Sequence, residues 1–424
     1  MPDLRRLVAD VTPLRENAAF RRLWIGTTLS TVGSALTLFA VTLQVFLLTG
    51  SSAAVGGVGL AAAIPALALG LFGGALVDSA DRRALVLWSQ SAMMTVSAAF
   101  AVQALAGNSH VWLLYVLEAV ASSANAVNGP ARRTFMPRLL PAAQIPAGAA
   151  LTMLTMHISM LGGPVLGGLL VPLGGLKLCY LLDAVTFLAS LYGVFRLPPM
   201  RPEGGDGPTR PGLHGVLDGV RFLGRSRVLT GVLLADVSAT LFAMPVALYP
   251  AINAERFDGS PRTLGLLSAG LAIGGLLGTV FSGPLAHVRR PGLGMLVAGG
   301  VWGAALFGFG VVHSFALTMA ALVVAGIADV ISVVLRSTII QVATPDVYRG
   351  RVNAAEIMVG GNIPQVGNFR AGVVAELTSP GVSAGLGGVL AVLGAAGIAV
   401  AMPAVVRYRT GQAAETSAVS TTAS

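Results

Sequence analysis

Six ionisable residues fall inside otherwise apolar stretches of this sequence: Glu118, Asp183, Asp236, Asp329, Glu356 and Arg370. A charge at the centre of a helix in hydrocarbon costs roughly 2.5–3.5 kcal/mol on insertion scales, so such residues normally face a cavity or a partner. Asp236 lies well inside its run. Removal from water favours the neutral form of a carboxyl, so Asp236 is a candidate to take and release a proton as its access changes sides. The alternative is a structural hydrogen bond to a neighbouring helix. Arg370 follows Asn362, Gln365 and Asn368 on preceding turns. A fixed cation in such a cavity suits an anionic or hydroxyl-rich substrate, unless Arg370 is paired with Glu376. Asn125, Asn128 and His157 supply further polar lining, although a single histidine also serves as a structural residue, and Glu118 and Asp183 lie nearer the outer side. This chemistry is proton and solute handling, and no enzyme is expected. The 5 histidines are scattered with no H-E-x-x-H. A phosphate loop needs Gly-Lys, and the single lysine, Lys177, follows Leu176. The single cysteine, Cys179, excludes an intramolecular disulfide and a cysteine metal cluster, and no metal site is expected.

The elements that position these residues are set by composition. Apolar residues make up 54% of the 424, charged residues 11%, and mean hydropathy is +0.79. Soluble domains carry roughly 25% charged residues, so this is an all-α integral membrane protein. Twelve runs approach the ~20 residues needed to cross a bilayer: 22–48, 54–77, 84–106, 111–131, 145–171, 176–196, 228–252, 263–286, 292–312, 315–336, 351–377 and 383–406. The first continues for about 26 residues, too long for a signal-peptide core of roughly 7–15, so no cleavable signal is expected.

The net charge of +9 would suggest a nucleic-acid partner in a soluble protein. Here it sorts by side instead. Alternate connections hold Arg21 and Arg22, then Arg82 and Arg83, then Arg132, Arg133 and Arg138, and later Arg289 and Arg290, then Arg336, Arg349 and Arg351. The opposite connections hold only Lys177, Arg256 and Arg262. By the positive-inside rule both termini are cytoplasmic, in a multi-pass protein of the bacterial cytoplasmic membrane. The expected organisation is a cytoplasmic segment 1–21, a six-helix bundle 22–196, a Pro- and Gly-rich cytoplasmic linker 197–227, a second six-helix bundle 228–406 and a disordered tail 407–424. The linker ends in an amphipathic stretch with Leu213, Val216, Leu217, Val220 and Leu223 on one side.

The halves repeat one another. Gly74, Leu76, Asp78, Arg82 and Arg83 after the second run match Gly283, Leu285, His287, Arg289 and Arg290 after the eighth, with the two glycines 209 positions apart. Pro141 matches Pro345, and Pro164 with Gly167 matches Pro364 with Gly367. Such duplication points to two bundles working against each other across the membrane. Gly163, Pro164, Gly167 and Gly168 in the fifth run, and Gly270, Gly274 and Gly278 in the eighth, are small residues that let helix backbones touch where lipid gives no hydrophobic drive. Asp78 is a candidate latch to the start of the eleventh run, or a cap for the third run, a role Ser79 could also fill.

These residues resemble the major facilitator superfamily over about 20–405. The Gly74 to Arg83 loop looks like its signature between helices two and three, departing from it at Ser79 and Asp81. Gly162 to Gly168 resembles the glycine-proline signature of the superfamily's exporters. Gly219 to Leu223, Leu248 to Ala251, Ser282 to His287 with Arg290 to Gly292, Thr344 with Pro345, Gly350 to Asn353, and Leu151 to Thr155 resemble the enterobactin exporter group. The resemblance implies twelve helices in two six-helix bundles, alternating access with Asp78 in the conformational gate, and proton-coupled antiport that exports a siderophore-like molecule, with multidrug efflux as the alternative. It implies no cofactor beyond the proton gradient, a small-molecule substrate and the lipid bilayer as partners, no nucleic acid, and a monomer.

Overall fold

A computed structural model describes residues 10–79, 81–200, 221, 223–224 and 226–409; the side chains at 70–79, 286, 346–347, 349–351, 353–355 and 357–359 lie outside that description. Among the described residues all regular structure is helical. The main helices are α1 Ala18–Thr49, α2 Ser52–Ser79, α3 Arg82–Leu105, α4 Val111–Arg133, α5 Ile145–Phe195, α6 Arg227–Phe242, α7 Tyr249–Arg256, α8 Pro261–Val280, α9 Pro291–Val311, α10 Phe315–Ala343, α11 Asp346–Leu377 and α12 Pro380–Ala401. Nine spans among the described residues are long and apolar enough to cross a membrane.

At 51 residues, α5 is far longer than one bilayer crossing needs, and it breaks at Gly175, where φ is 71° and ψ −176°. Only glycine adopts that backbone without strain. The break makes a hairpin whose two arms straddle α1. The Trp24 indole donates to the Leu151 carbonyl at 3.0 Å, and Ala35 crowds Gly163, so the first arm runs parallel to α1. Gly193 faces Arg22 and Gly33 faces Asp183, so the second arm runs antiparallel. Helix α3 joins through a buried network in which each of Gln44 and Gln103 donates its Nε2 to the other's Oε1 and the Tyr180 hydroxyl donates to Gln44 Oε1 at 2.7 Å. Together these belong to a first compact unit comprising Met1–Thr49, Ala61–Pro211 and Pro261–Ala269.

The second unit comprises Gly50–Leu60, Gly212–Ser260 and Gly270–Ser424. Its core gathers Leu229, Val232, Met295, Leu335, Ile339 and Val405. Leu223 is buried in the same cluster, whereas Leu213, Val216, Leu217 and Val220 lie outside the described residues. The glycines of α8 pack on α10: Gly270 lies against Leu322, Gly274 against Val323 and Gly326, and Gly278 against Ile327 and Val330.

Several runs are not single helices. The run 228–252 divides at Ala243–Pro245, because Pro245 lacks an N–H and disfavours helix at Met244; a short 3-10 turn, Val246–Leu248, then leads into α7. The run 263–286 stops at Val280, with a separate 3-10 turn over Gly283–His287. The run 315–336 instead continues to Ala343. Neither Asp78 nor Ser79 begins the third run. Asp81 is its N-cap, its carboxylate accepting from the backbone N–H of Arg83 at 2.8 Å and of Ala84 at 3.4 Å, as well as from Met200 N–H at 3.3 Å. Asp81→Ala is expected to lower stability by about 1 kcal/mol, read as a fall in the unfolding midpoint of purified protein; an unchanged midpoint would remove that role.

Candidate functional site

The first unit holds an open cavity of about 580 Å³ with walls from α1, α3, α4 and α5 and Ala62 of α2. It brings together Glu118, Asn125, Asn128 and Asp183 of the predicted polar residues. His157 is not among its lining residues, although Met156 and Met160 on the same arm are. The Asp183 side chain is 1% exposed. Its Oδ2 accepts from Thr37 Oγ1 at 2.8 Å and from Ser97 Oγ at 2.6 Å, which ties α5 to α1 and α3. Its Oδ1 is buried without a hydrogen-bond partner, and no cation pairs with it among the described residues. Phe100 and Phe187 add aromatic wall, and Arg132 also lines the cavity, its Nη2 donating to Ser190 Oγ at 2.9 Å.

Asp236 sits differently. It forms an ion pair with Arg336 of α10, and the Arg336 Nε also reaches Glu356 Oε1 of α11 at 3.5 Å. Ser337 Oγ donates to the same Glu356 oxygen at 3.4 Å. The arginine therefore stands inside a helix between two carboxylates, and not in a connection as the charge sorting by sides places it.

Arg370 does not pair with Glu376, whose Oε1 accepts from Ala53 N–H at 3.3 Å. Its Nη2 donates to the Phe242 carbonyl, the last residue of α6, and its guanidinium lies 5.8 Å from the centre of the Phe242 ring. The adjoining crevice measures only about 10 Å³, so Arg370 holds a helix end and faces no solute-sized space there. Two other arginines do the same. Arg83 Nη2 donates to the Phe195 carbonyl at 2.7 Å at the end of α5. Arg256 donates to the carbonyls of Phe309, Gly310 and Val312 at the end of α9. A cation at a helix C-terminus meets unpaired carbonyls and the negative end of the helix dipole. Of the remaining α11 candidates, Asn368 Oδ1 accepts from Ala247 N–H at 3.4 Å, the Gln365 oxygen lies against Gly59, and Asn362 is partly buried.

Among the gate residues, the side chains of Gly74 and Asp78 lie outside the described residues. The Arg82 backbone N–H donates to the Met200 carbonyl at 3.2 Å. In the second copy Gly283, His287, Arg289 and Arg290 are all exposed. The small residues of the fifth run pack closely: Gly163 on Ala35, Gly167 on Phe39, Gly168 on Pro261 and Gly265, and the Pro164 carbonyl on Gly265. Arg132 and Arg336 are the functional candidates that sequence reasoning missed. Sorting by charge assigns both to connections. Their common spacing of 204 positions, which is also that of Pro141 and Pro345, is the signal that marks them as a pair.

The chain matches the transmembrane secretion effector family over residues 8–421. It is 28% identical over 345 residues to the enterobactin exporter EntS of Shigella dysenteriae serotype 1 (strain Sd197), covering 81% of this chain and 82% of that protein. The enterobactin exporter EntS of Escherichia coli (strain SMS-3-5 / SECEC) gives the same identity and coverage. Among solved structures, the nucleoside transporter NupG superposes with a TM-score of 0.71 at 14% identity, covering 91% of this chain and 99% of that one. A peptide transporter POT in complex with alafosfalin gives 0.73 at 12% identity, covering 96% and 99%. At such identity the likeness is one of fold, and every one of these proteins is a transporter.

Proposed function

Because the chain belongs to the transmembrane secretion effector family of major facilitator transporters, we propose that it exports a siderophore-like small molecule across the bacterial cytoplasmic membrane in exchange for protons. The observation that carries the coupling is Asp183: a buried carboxyl lining a solute-sized cavity, held by two hydroxyls, with one oxygen unpartnered and no cation beside it. Such a group can change its charge as access to the cavity changes sides. Asp236 is less suited, because it is already held in an ion pair with Arg336.

Twelve spans follow from the nine apolar ones once α5 counts as two about Gly175 and α4 and α11 are added. Those two helices fall short on hydropathy because they carry polar and charged residues such as Asn125, Asn128, Arg132, Glu356, Gln365 and Arg370. Two six-helix bundles alternate access about a central path, with the arginine-rich connections and both termini in the cytoplasm. Asp78 contributes to the cytoplasmic latch.

A second reading, efflux of varied drugs, is favoured by Met93, Met156 and Met160 in the cavity wall, since flexible thioethers adapt to differently shaped ligands. Deleting the gene under iron limitation is expected to reduce secreted siderophore. Normal secretion with raised dye accumulation would instead favour the drug reading. Asp183→Asn, which keeps hydrogen-bonding capacity, is expected to fold normally and lose uncoupler-sensitive export. Retained, uncoupler-sensitive export in that variant would exclude Asp183 from coupling.

A further inference from the structure

The two halves place an arginine at equivalent positions and give it unequal company. Arg132 on α4 and Arg336 on α10 are 204 positions apart. Arg336 is neutralised by Asp236 and Glu356. The first-half counterparts of those carboxylates follow from nearby matched glycines and prolines. Gly26 and Gly231, each packed against the closing segment of its own half, are offset by 205, which sets Thr31 opposite Asp236. Pro164 and Pro364 are offset by 200, which sets Met156 opposite Glu356. Thr31 and Met156 both line the cavity that Arg132 lines. Where one half sets two carboxylates against its arginine, the other sets Thr31 and Met156 there, and the carboxyls of its cavity, Glu118 and Asp183, are not paired with Arg132.

Arg132 has no carboxylate partner among the described residues; its Nη2 is satisfied by Ser190, and its Nε is buried without a hydrogen-bond partner. The Arg132 side chain is partly buried, and a guanidinium nitrogen held from water without a partner favours an anion that completes it. The rest of the wall is rich in acceptors. The hydroxyls of Thr27, Ser30, Thr31, Thr152 and Ser159 all donate to backbone carbonyls of their own helices, which leaves their oxygens free to accept. The complement of one cationic donor, several acceptors and the Phe100 and Phe187 rings is a molecule with an anionic oxygen group, hydroxyl donors and an apolar face.

We infer that Arg132 is the receptor for an anionic oxygen group of the exported molecule, whose hydroxyls meet the acceptor wall of the same cavity. The assignment deepens the export reading and rests on it, but its test is a binding measurement. The full chain in nanodiscs is titrated with 4-hydroxybenzoate and with its uncharged amide, 4-hydroxybenzamide. Wild type is expected to bind the carboxylate about tenfold more tightly, the scale of one charge-assisted bidentate contact. Arg132→Gln should bring that ratio to about one, while Arg133→Gln, at an exposed neighbour, should leave it unchanged. A wild-type ratio of one, or a ratio that survives Arg132→Gln, overturns the assignment. A readout free of folding effects is phenylglyoxal labelling of Arg132 in the wild-type protein, followed by peptide mass. The carboxylate should block labelling and the amide should not; equal labelling with either overturns the assignment. An intact ratio in a protein whose deletion leaves secretion normal refutes the export reading and not the anion site.

Discussion

Arg336→Gln is expected to produce a large loss of stability, about 3–5 kcal/mol, the scale of breaking a buried ion pair from one side. The guanidinium lies between Asp236 and Glu356, whose side chains are only 14% and 18% exposed, and its own side chain is 9% exposed. Its removal leaves two carboxylates of like charge with little water to screen them. Pairing Arg336→Gln with Asp236→Asn removes one of those charges and should recover part of the loss, so the two substitutions should be strongly non-additive. Thermal unfolding of purified single and double variants measures this directly. Additive shifts would mean that Asp236 and Arg336 do not act as a pair. Arg289→Gln and Arg290→Gln, at exposed positions, should leave the midpoint within error.

The second large effect comes from backbone contact. A Cβ at Gly274 would lie 2.1 Å from the Val323 carbonyl oxygen and 2.9 Å from the Gly326 Cα, and one at Gly326 would lie 2.2 Å from the Leu271 carbonyl oxygen. Helices α8 and α10 therefore touch main chain to main chain, and a larger residue can be admitted only by forcing them apart. Overpacking a tight interior costs about 1–3 kcal/mol and sometimes more. Here no flexible side chain is available to yield, so Gly274→Val should lie at or above the upper end. Membrane yield and the midpoint in detergent are expected to fall together. Gly300→Ala is the matched control, because nothing lies within 4 Å of a Cβ there, and it should be neutral or gain some of the ~1 kcal/mol by which alanine exceeds glycine in a helix. Equal behaviour of the two variants would contradict the contact.

The features that the sequence made legible are those written in local patterns. Apolar runs gave α1 to α4 to within about four residues, and the gap between 171 and 176 falls at the break at Gly175, whereas 228–252, 263–286 and 315–336 differ more. Glycine spacing identified the contact faces of α5 and α8. The less legible features depend on what a residue meets across the fold. Arg132 and Arg336 end long apolar runs, so a hydropathy reading turns each arginine into a boundary. Arg336 in fact lies within α10 and meets Asp236 and Glu356, whereas Arg132 stands in the last turn of α4 and meets Ser190. Arg370 presented as a substrate cation because its neighbours on α11 are polar, whereas the α6 carbonyl it holds is 128 positions away in the chain. Pro245 was visible throughout, but a proline within an apolar run kinks some helices and ends others.

The straddling of α1 by the two arms of α5 also bears on how the protein is made. Thr37 enters the bilayer with the first helix, but its carboxylate partner Asp183 follows 146 positions later. At a synthesis rate of roughly 5–20 residues per second, that interval is about 7–30 s. During it the first helix must wait in lipid or at the insertion machinery with its polar face unmatched. Thr27 and Thr31, whose hydroxyls bond to carbonyls of their own helix, need no such partner. The α1 helix thus emerges well before its partner, and its assembly is completed only when the second arm of α5 arrives.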